Sequence, residues 1–296
     1  MKMTMLKLDR RPPDAIEGYF QHLDLYNRLH NPRTRERYRG HARHWLRYCE
    51  KLGFTAPAID TGDIERYIAL RGHEGAAPKT INDELQFLRA AFQYLADRND
   101  LPANPFKPIP RLKVPNKPLR FYTPEQTTAL LDAASEKMRD VLRVFLYTGL
   151  RKGELLHLEW ADVDFDRLLL WVKCKDYWTT KNYTERSIPI NDALLPLLRR
   201  RRDQYPGYKW VFQGKSGKRL HRNTLQGRMA SLGKKTGIEG ATIHRLRHTF
   251  GATLAMNNIS LPKIQKLMGH KDSRTTEIYA VVTGSQLQDE INTLTF

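Results

Sequence analysis

Arginine, histidine and tyrosine recur in three short segments of this sequence in combinations suited to work on a phosphate. In LMGHKDSRTTEIYA, residues 267–280, His270 is followed nine positions later by Tyr279. A tyrosine hydroxyl is either the polar tip of a buried ring or an oxygen nucleophile, and the segment alone leaves both open. Read as a helix, TIHRLRHTFGATLAMN turns Ile243, Leu246, Phe250 and Leu254 to one face and His244, Arg247, His248 and Gly251 to another. The second face presents histidine and arginine together, beside a glycine that leaves room for close approach. His244 and His248 have the four-residue spacing of a helical zinc pair. Arg245 stands where the general-base glutamate of such a motif belongs, and with Arg247 it would repel a dication, so no metal site is expected. TGLRKGELLHLEW adds Arg151 directly after a helix-ending glycine, followed by Glu154, Leu155 and Leu158 on a short helix that would hold it. Two planar guanidinium groups on one point suit a phosphodiester in reaction, whose pentacoordinate transition state gains charge on its non-bridging oxygens.

These side chains need a scaffold, and the chain is long enough for two domains: 296 residues. Fifty Lys and Arg against 32 Asp and Glu leave a charge of +18, which calls for a polyanionic partner. The charge is uneven. Residues 1–101 carry +3, residues 102–121 carry +5 with no acid, and residues 173–274 carry +16. LPANPFKPIPRLKVPNKP, with prolines at 102, 105, 108, 110, 115 and 118, forbids a helix and reads as an extended, semi-rigid connector. The expected division is a helical domain over 1–104, a Pro-rich basic linker over 105–121 and a second domain over 122–296. Before the linker, apolar residues at three- and four-residue spacing predict four helices, with Thr34, Asp60 or Thr61, and Thr80 as N-caps and Gly53 and Gly72 as stops. Arg35, Arg39, Arg43 and Arg47 recur every four residues on the second helix, and with Lys79 they are candidate phosphate contacts; a solvated face is the alternative. After the linker, Thr123, Pro124 and Gln126 form a capping box, and RLLLWVKCK with ERSIPI reads as a hairpin. Helices are expected near 191–204, 222–237, 244–257, 260–268 and 273–283, the last carrying Tyr279 with Asp272 or Ser273 as its cap. The fold class is mainly α, with a small antiparallel sheet in the C-terminal domain. No run of about 18 apolar residues and no signal-peptide core is present, and Cys49 and Cys174 are too few for a disulfide framework, so a soluble, cytoplasmic protein is expected.

Arg151 in TGLRKGELLHLEW, Lys181 in TKNYTERSIPI, His244 and Arg247 in HRLRHTF, His270 in LMGHKD and Tyr279 in RTTEIYA together resemble the tyrosine recombinase (phage integrase) family. Resemblance extends over nearly the whole chain, whose size looks most like the simple Xer-type members. It implies a core-binding domain, a linker and a catalytic domain. Tyr279 would attack the scissile phosphate, forming a 3′-phosphotyrosyl link and releasing a 5′-hydroxyl. Arg151 and Arg247 would stabilise the phosphorane and His270 would hydrogen-bond a non-bridging oxygen. His244 is the candidate acid/base toward Tyr279, and Lys181 would protonate the departing 5′-oxygen. Lys173 and Lys175 lie in the same hairpin; Lys181 is preferred because family hairpins place the lysine eight residues before the proline of the second strand, here Pro189. His248 follows as a supporting residue. Val281 stands where many relatives have a histidine, which bears on positioning near Tyr279. The link stores the bond energy, so neither a metal nor any other cofactor is implied.

Implied partners are double-stranded DNA and further copies of the chain, four on paired sites, with a second recombinase or accessory protein left open. The tail VVTGSQLQDEINTLTF, with Leu287, Ile291 and Leu294 at helical spacing, is expected to mediate that assembly. A type IB-like topoisomerase, a non-catalytic DNA-binding protein and a zinc hydrolase are the competing classes.

Overall fold

In a computed structural model the chain forms two compact units, Met1–Lys117 and Pro118–Phe296. The structure describes residues 12–26, 32–53, 59–115, 118–180 and 184–280. Lys181 and the tail from Val281 onward lie outside them.

The first unit is a bundle of α1 (Pro12–Leu25), α2 (Pro32–Leu52), α3 (Thr61–His73) and α4 (Pro78–Asp97). Its helix starts follow proline more than threonine. Pro32 and Pro78 open α2 and α4, where a missing N–H costs nothing, so Thr34 and Thr80 fall inside the first turns and do not cap them. Asp60 caps α3 in a capping box with Asp63, and α3 runs through Gly72 to His73. The core is aromatic: Trp45, fully buried, meets Tyr67 edge-on at 5.1 Å and Phe106 at 5.2 Å. A buried Arg71–Glu84 pair, shared with the Tyr67 hydroxyl, ties α3 to α4.

Phe106 belongs to the stretch expected as an extended, semi-rigid connector. There is no helix from 101 to 115, but Phe106 and Ile109 are buried in the first unit's core and Leu112 packs against it. Prolines limit backbone pairing in this segment to short turns, and side chains add to it. Arg89 donates to the Phe106 and Ile109 carbonyls at 3.0 and 2.6 Å, and Asn82 pairs with both backbone groups of Leu112 at 2.9 and 2.8 Å.

The second unit contains α5 (Pro124–Ala133), α6 (Glu136–Thr148), α7 (Lys152–Leu156), α8 (Leu195–Gln204), α9 (Arg222–Lys235), α10 (Ile243–Met256), α11 (Leu261–Met268) and α12 (Arg274–Glu277). A three-stranded antiparallel sheet lies between α7 and α8 in the chain: β1 (Val163–Asp164), β2 (Leu169–Val172) and β3 (Arg186–Pro189), in the order β1-β2-β3. The hairpin pairs Leu170 with Ile188, both buried; the two-residue β1 was not expected. Thr123 and Gln126 form their capping box on α5. The helix expected over 273–283 is much shorter: α12 ends at Glu277, its Ser273 cap makes no side-chain cap bond, and Tyr279 sits on the turn after it. Tyr122 orients α10, its hydroxyl bonding both backbone groups of Thr242 at 2.8 and 3.0 Å while its amide donates to Thr249 Oγ1 at 2.9 Å.

Candidate active site

Helix α10 brings its polar face to the centre of the second unit. Ile243, Leu246 and Phe250 are buried on one side, as their spacing predicts, and Arg247 is buried on the other with 2% exposure. Arg247 donates through Nη1 to the Gly149 carbonyl at the end of α6 and through Nη2 to the Met268 carbonyl at 2.6 Å. It has no carboxylate partner among the described residues. Burial first, then the neighbouring Arg151, pull its pKa down to about 9, against the raising effect of Glu154.

Arg151 reaches the same place from the N-terminus of α7. Gly149 caps α6 in the left-handed conformation and turns the chain so that Arg151 points back. Its Nη1 pairs with Glu154 at 2.8 Å and its Nη2 donates to the Gly269 carbonyl at 2.6 Å. A third guanidinium, which the sequence reading passed over, completes the cluster. Arg186 on β3 donates to the Leu267 carbonyl at 2.7 Å and to both Glu154 oxygens at 2.7 and 3.1 Å. Consecutive carbonyls at the C-terminus of α11 thus each accept from a different arginine, where the helix dipole concentrates negative charge. Glu154 is the single carboxylate among them: burial would raise it, but the hydrogen bonds and charge of Arg186, helped by Arg151, hold it down at about 2. Three positive groups against one negative leave the pocket cationic. The signal that could have found Arg186 is the arginine of ERSIPI, placed on the inward-facing alternation of β3 beside buried Ile188.

His270 follows this helix end at Gly269, which takes a positive φ of 64°. Its Nδ1 meets Thr276 Oγ1 at 2.9 Å, and burial followed by the charges of Arg247, Arg151 and Arg186 lowers it to about 3. It is therefore a neutral hydrogen-bonding group at neutral pH. Tyr279, with 0% exposure, lays its ring over Gly251: a Cβ there would stand 2.5 Å from the phenol Cζ. The space left by that glycine is filled by the tyrosine. Burial raises the phenol to about 12, against the lowering effect of Arg247. The hydroxyl meets His248 Nδ1 at 3.1 Å. His244, the expected acid/base, is exposed one turn earlier, its ring 4.5 Å from that of His248.

Of the residues expected in the site, Arg151, Arg247, His270 and Tyr279 are brought together, and His248 takes the place at the hydroxyl given to His244. Lys181 lies outside the described residues. Its neighbours in the hairpin are otherwise engaged: Lys175 bonds Asp162 and the His157 carbonyl, both at 2.7 Å, and Lys173 lies 5.0 Å over the Trp171 ring. In the first unit Arg35 is paired with Asp24 and Arg47 with Glu74, while Arg39, Arg43 and Lys79 are exposed. Acidic groups from other elements thus neutralise both ends of the expected stripe.

Residues 120–285 match the phage integrase family, and residues 16–99 match the phage integrase N-terminal SAM-like domain. The tyrosine recombinase XerA of Pyrococcus furiosus is 31% identical over 77% of this chain and 79% of its own. A tyrosine recombinase XerC-like protein of Caldanaerobacter subterraneus subsp. tengcongensis is 27% identical over 95% of this chain and 83% of its own. Among solved structures, the Tn1549 transposon integrase in complex with a circular intermediate DNA superimposes with a TM-score of 0.79, at 22% identity over 95% of this chain and 99% of that one. The lambda integrase tetramer bound to a Holliday junction gives a TM-score of 0.73, at 20% identity over 88% and 77%. The cationic pocket closed by a buried tyrosine and the two family matches lead to one conclusion: the chain belongs to the phage integrase family and is a tyrosine site-specific recombinase.

Proposed function

We propose that Tyr279 is the nucleophile of this recombinase and that Arg151, Arg247 and His270 bind the phosphate it attacks. The observation that carries this reading is Arg247, a buried guanidinium with carbonyl partners and no directly bonded carboxylate among the described residues, 2% exposed. An isolated buried charge is costly, and an anion arriving beside it offsets that cost. The phenol attacks phosphorus and the 3′-phosphotyrosyl bond forms as the bond to the 5′-oxygen breaks. Lys181 protonates that oxygen; the engagement of Lys173 and Lys175 elsewhere supports this choice. Guanidinium groups already held by carbonyls and Glu154 need little reorganisation as charge develops on the non-bridging oxygens.

In this reading the first unit is the core-DNA-binding domain, with exposed Arg39, Arg43 and Lys79 on phosphates, and the second is the catalytic domain. Four protomers, the number in the lambda integrase tetramer on a Holliday junction, exchange strands between two duplex sites, and the tail after Tyr279 makes the contacts between them. The protein works in the cytoplasm, on the nucleoid; no helix among the described residues is long and apolar enough to cross a membrane.

A duplex selected from a random pool by binding supplies the site, and two copies of it on one plasmid supply the assay. Deletion or inversion between the copies, in EDTA and without ATP, is the expected result. Relaxation of supercoils at any sequence, without exchange between the copies, would instead identify a type IB-like topoisomerase.

A further inference from the structure

The hydroxyl of Tyr279 makes one hydrogen bond among the described residues, to Nδ1 of His248 at 3.1 Å. The ring that carries it is fixed by the Gly251 surface of the same helix, so hydroxyl and imidazole are held together by α10 itself. We propose that His248 takes the phenol proton as Tyr279 attacks phosphorus, a role that rests on Tyr279 being the nucleophile.

Nδ1 carries the lone pair and Nε2 the ring proton, so the phenol O–H donates to Nδ1. As the bond from the phenol oxygen to phosphorus forms, that O–H bond breaks and the proton moves to Nδ1, leaving an imidazolium, while the bond from phosphorus to the 5′-oxygen breaks, the oxygen keeps its electron pair, and it takes its proton from Lys181. In rejoining, the 5′-hydroxyl attacks phosphorus and gives its proton back to the neutral Lys181, while the bond from phosphorus to the phenol oxygen breaks and the imidazolium returns its proton to the departing phenolate. The charged and titratable groups around His248 are Tyr279, on the turn after α12, His270, just after α11, and His244 and Arg247 on its own helix. Burial, then these two neighbours, hold His248 at about 4, so it is neutral and able to accept at neutral pH. A bound phosphate beside Arg247 adds negative charge and raises its basicity when it is needed.

The test is single-turnover cleavage of a nicked suicide substrate across pH 6 to 9 by the parent, His248→Gln, His248→Asn and Tyr279→Phe. Both amides accept a hydrogen bond from the phenol without taking its proton. Each is expected to bind DNA as the parent does, to cleave and to rejoin about 100-fold more slowly at neutral pH, and to speed up steadily with pH where the parent is level. Either amide variant cleaving within about threefold of the parent, or slowing with the parent's pH profile unchanged, would show that His248 only positions the phenol and would overturn the proposal. If one amide fails to bind DNA, the other decides. A covalent adduct formed by Tyr279→Phe removes the nucleophile and this proposal together; an adduct that needs Tyr279 but ignores His248 removes the proposal alone.

Discussion

Arg247 and Gly251 lie on one helix and do opposite things: one places a charge where water is scarce, the other removes a side chain so that a phenol can lie flat. Substituting Arg247 by Lys keeps the charge but loses the fork that spans the Gly149 and Met268 carbonyls. Cleavage is expected to fall by about 10²- to 10³-fold with DNA affinity little changed, read by single-turnover cleavage and by filter binding on one substrate. Gly251→Ala puts a methyl 2.5 Å from the Tyr279 Cζ, so the ring must leave its seat. Alanine favours the helix by about 1 kcal/mol, so the variant should fold and bind DNA yet form almost no covalent adduct. Adduct formation at the parent's rate would show that the ring position seen here is not the one that reacts.

The C-terminal end of α11 is the element on which the site depends, because Arg186, Arg247 and Arg151 all bond its last carbonyls and His270 follows directly. Gly269→Ala would force an alanine to a φ of 64° with its Cβ 3.0 Å from Arg186, and denaturant unfolding should show a loss of about 1–3 kcal/mol. The same element sets the acid response. Glu154, held at about 2, contributes stability above its ordinary carboxylate range and loses it as pH falls toward 2. His270 and His248, lowered to about 3 and about 4, stay neutral when folded, so the unfolded chain binds more protons below the ordinary histidine value near 6.5 and stability falls as pH drops below it. Thermal melts should therefore move down between pH 6.5 and 4, and less so in His270→Gln. Helical spacing and turn chemistry made α5, α10 and the hairpin legible, because their apolar faces and caps are local. Arg186 and the role of Glu154 were not, since their partners lie 81 and 32 residues away. Tyr279 was placed on a helix over 273–283 capped by Asp272 or Ser273, whereas it follows a helix of four residues and is held by its seat on Gly251. The proline segment was read as a semi-rigid connector because its prolines forbid a helix, and the side chains that tie it down, Arg89 and Asn82, belong to α4.

At the scale of the molecule the +18 charge suits a polyanionic partner, and the proposed function is to hold that partner's phosphate at Tyr279. If six or more phosphates are contacted, affinity for the selected site should fall by about 10³-fold or more between 50 and 200 mM salt, measured by fluorescence anisotropy. Removing the residues after Gly284 should leave single-site affinity intact and abolish pairing of two sites in sedimentation experiments; unchanged four-protomer assembly would place the contact elsewhere. All of this presumes that Tyr279 becomes joined to DNA. The most direct measurement is mass spectrometry of the SDS-resistant adduct formed on a nicked suicide substrate in EDTA, digested with trypsin and nuclease. The account predicts a 3′-phosphonucleotide on Tyr279, in the peptide that begins after Arg274. Adduct on any other residue, or a cleaved strand with no protein attached, would contradict it.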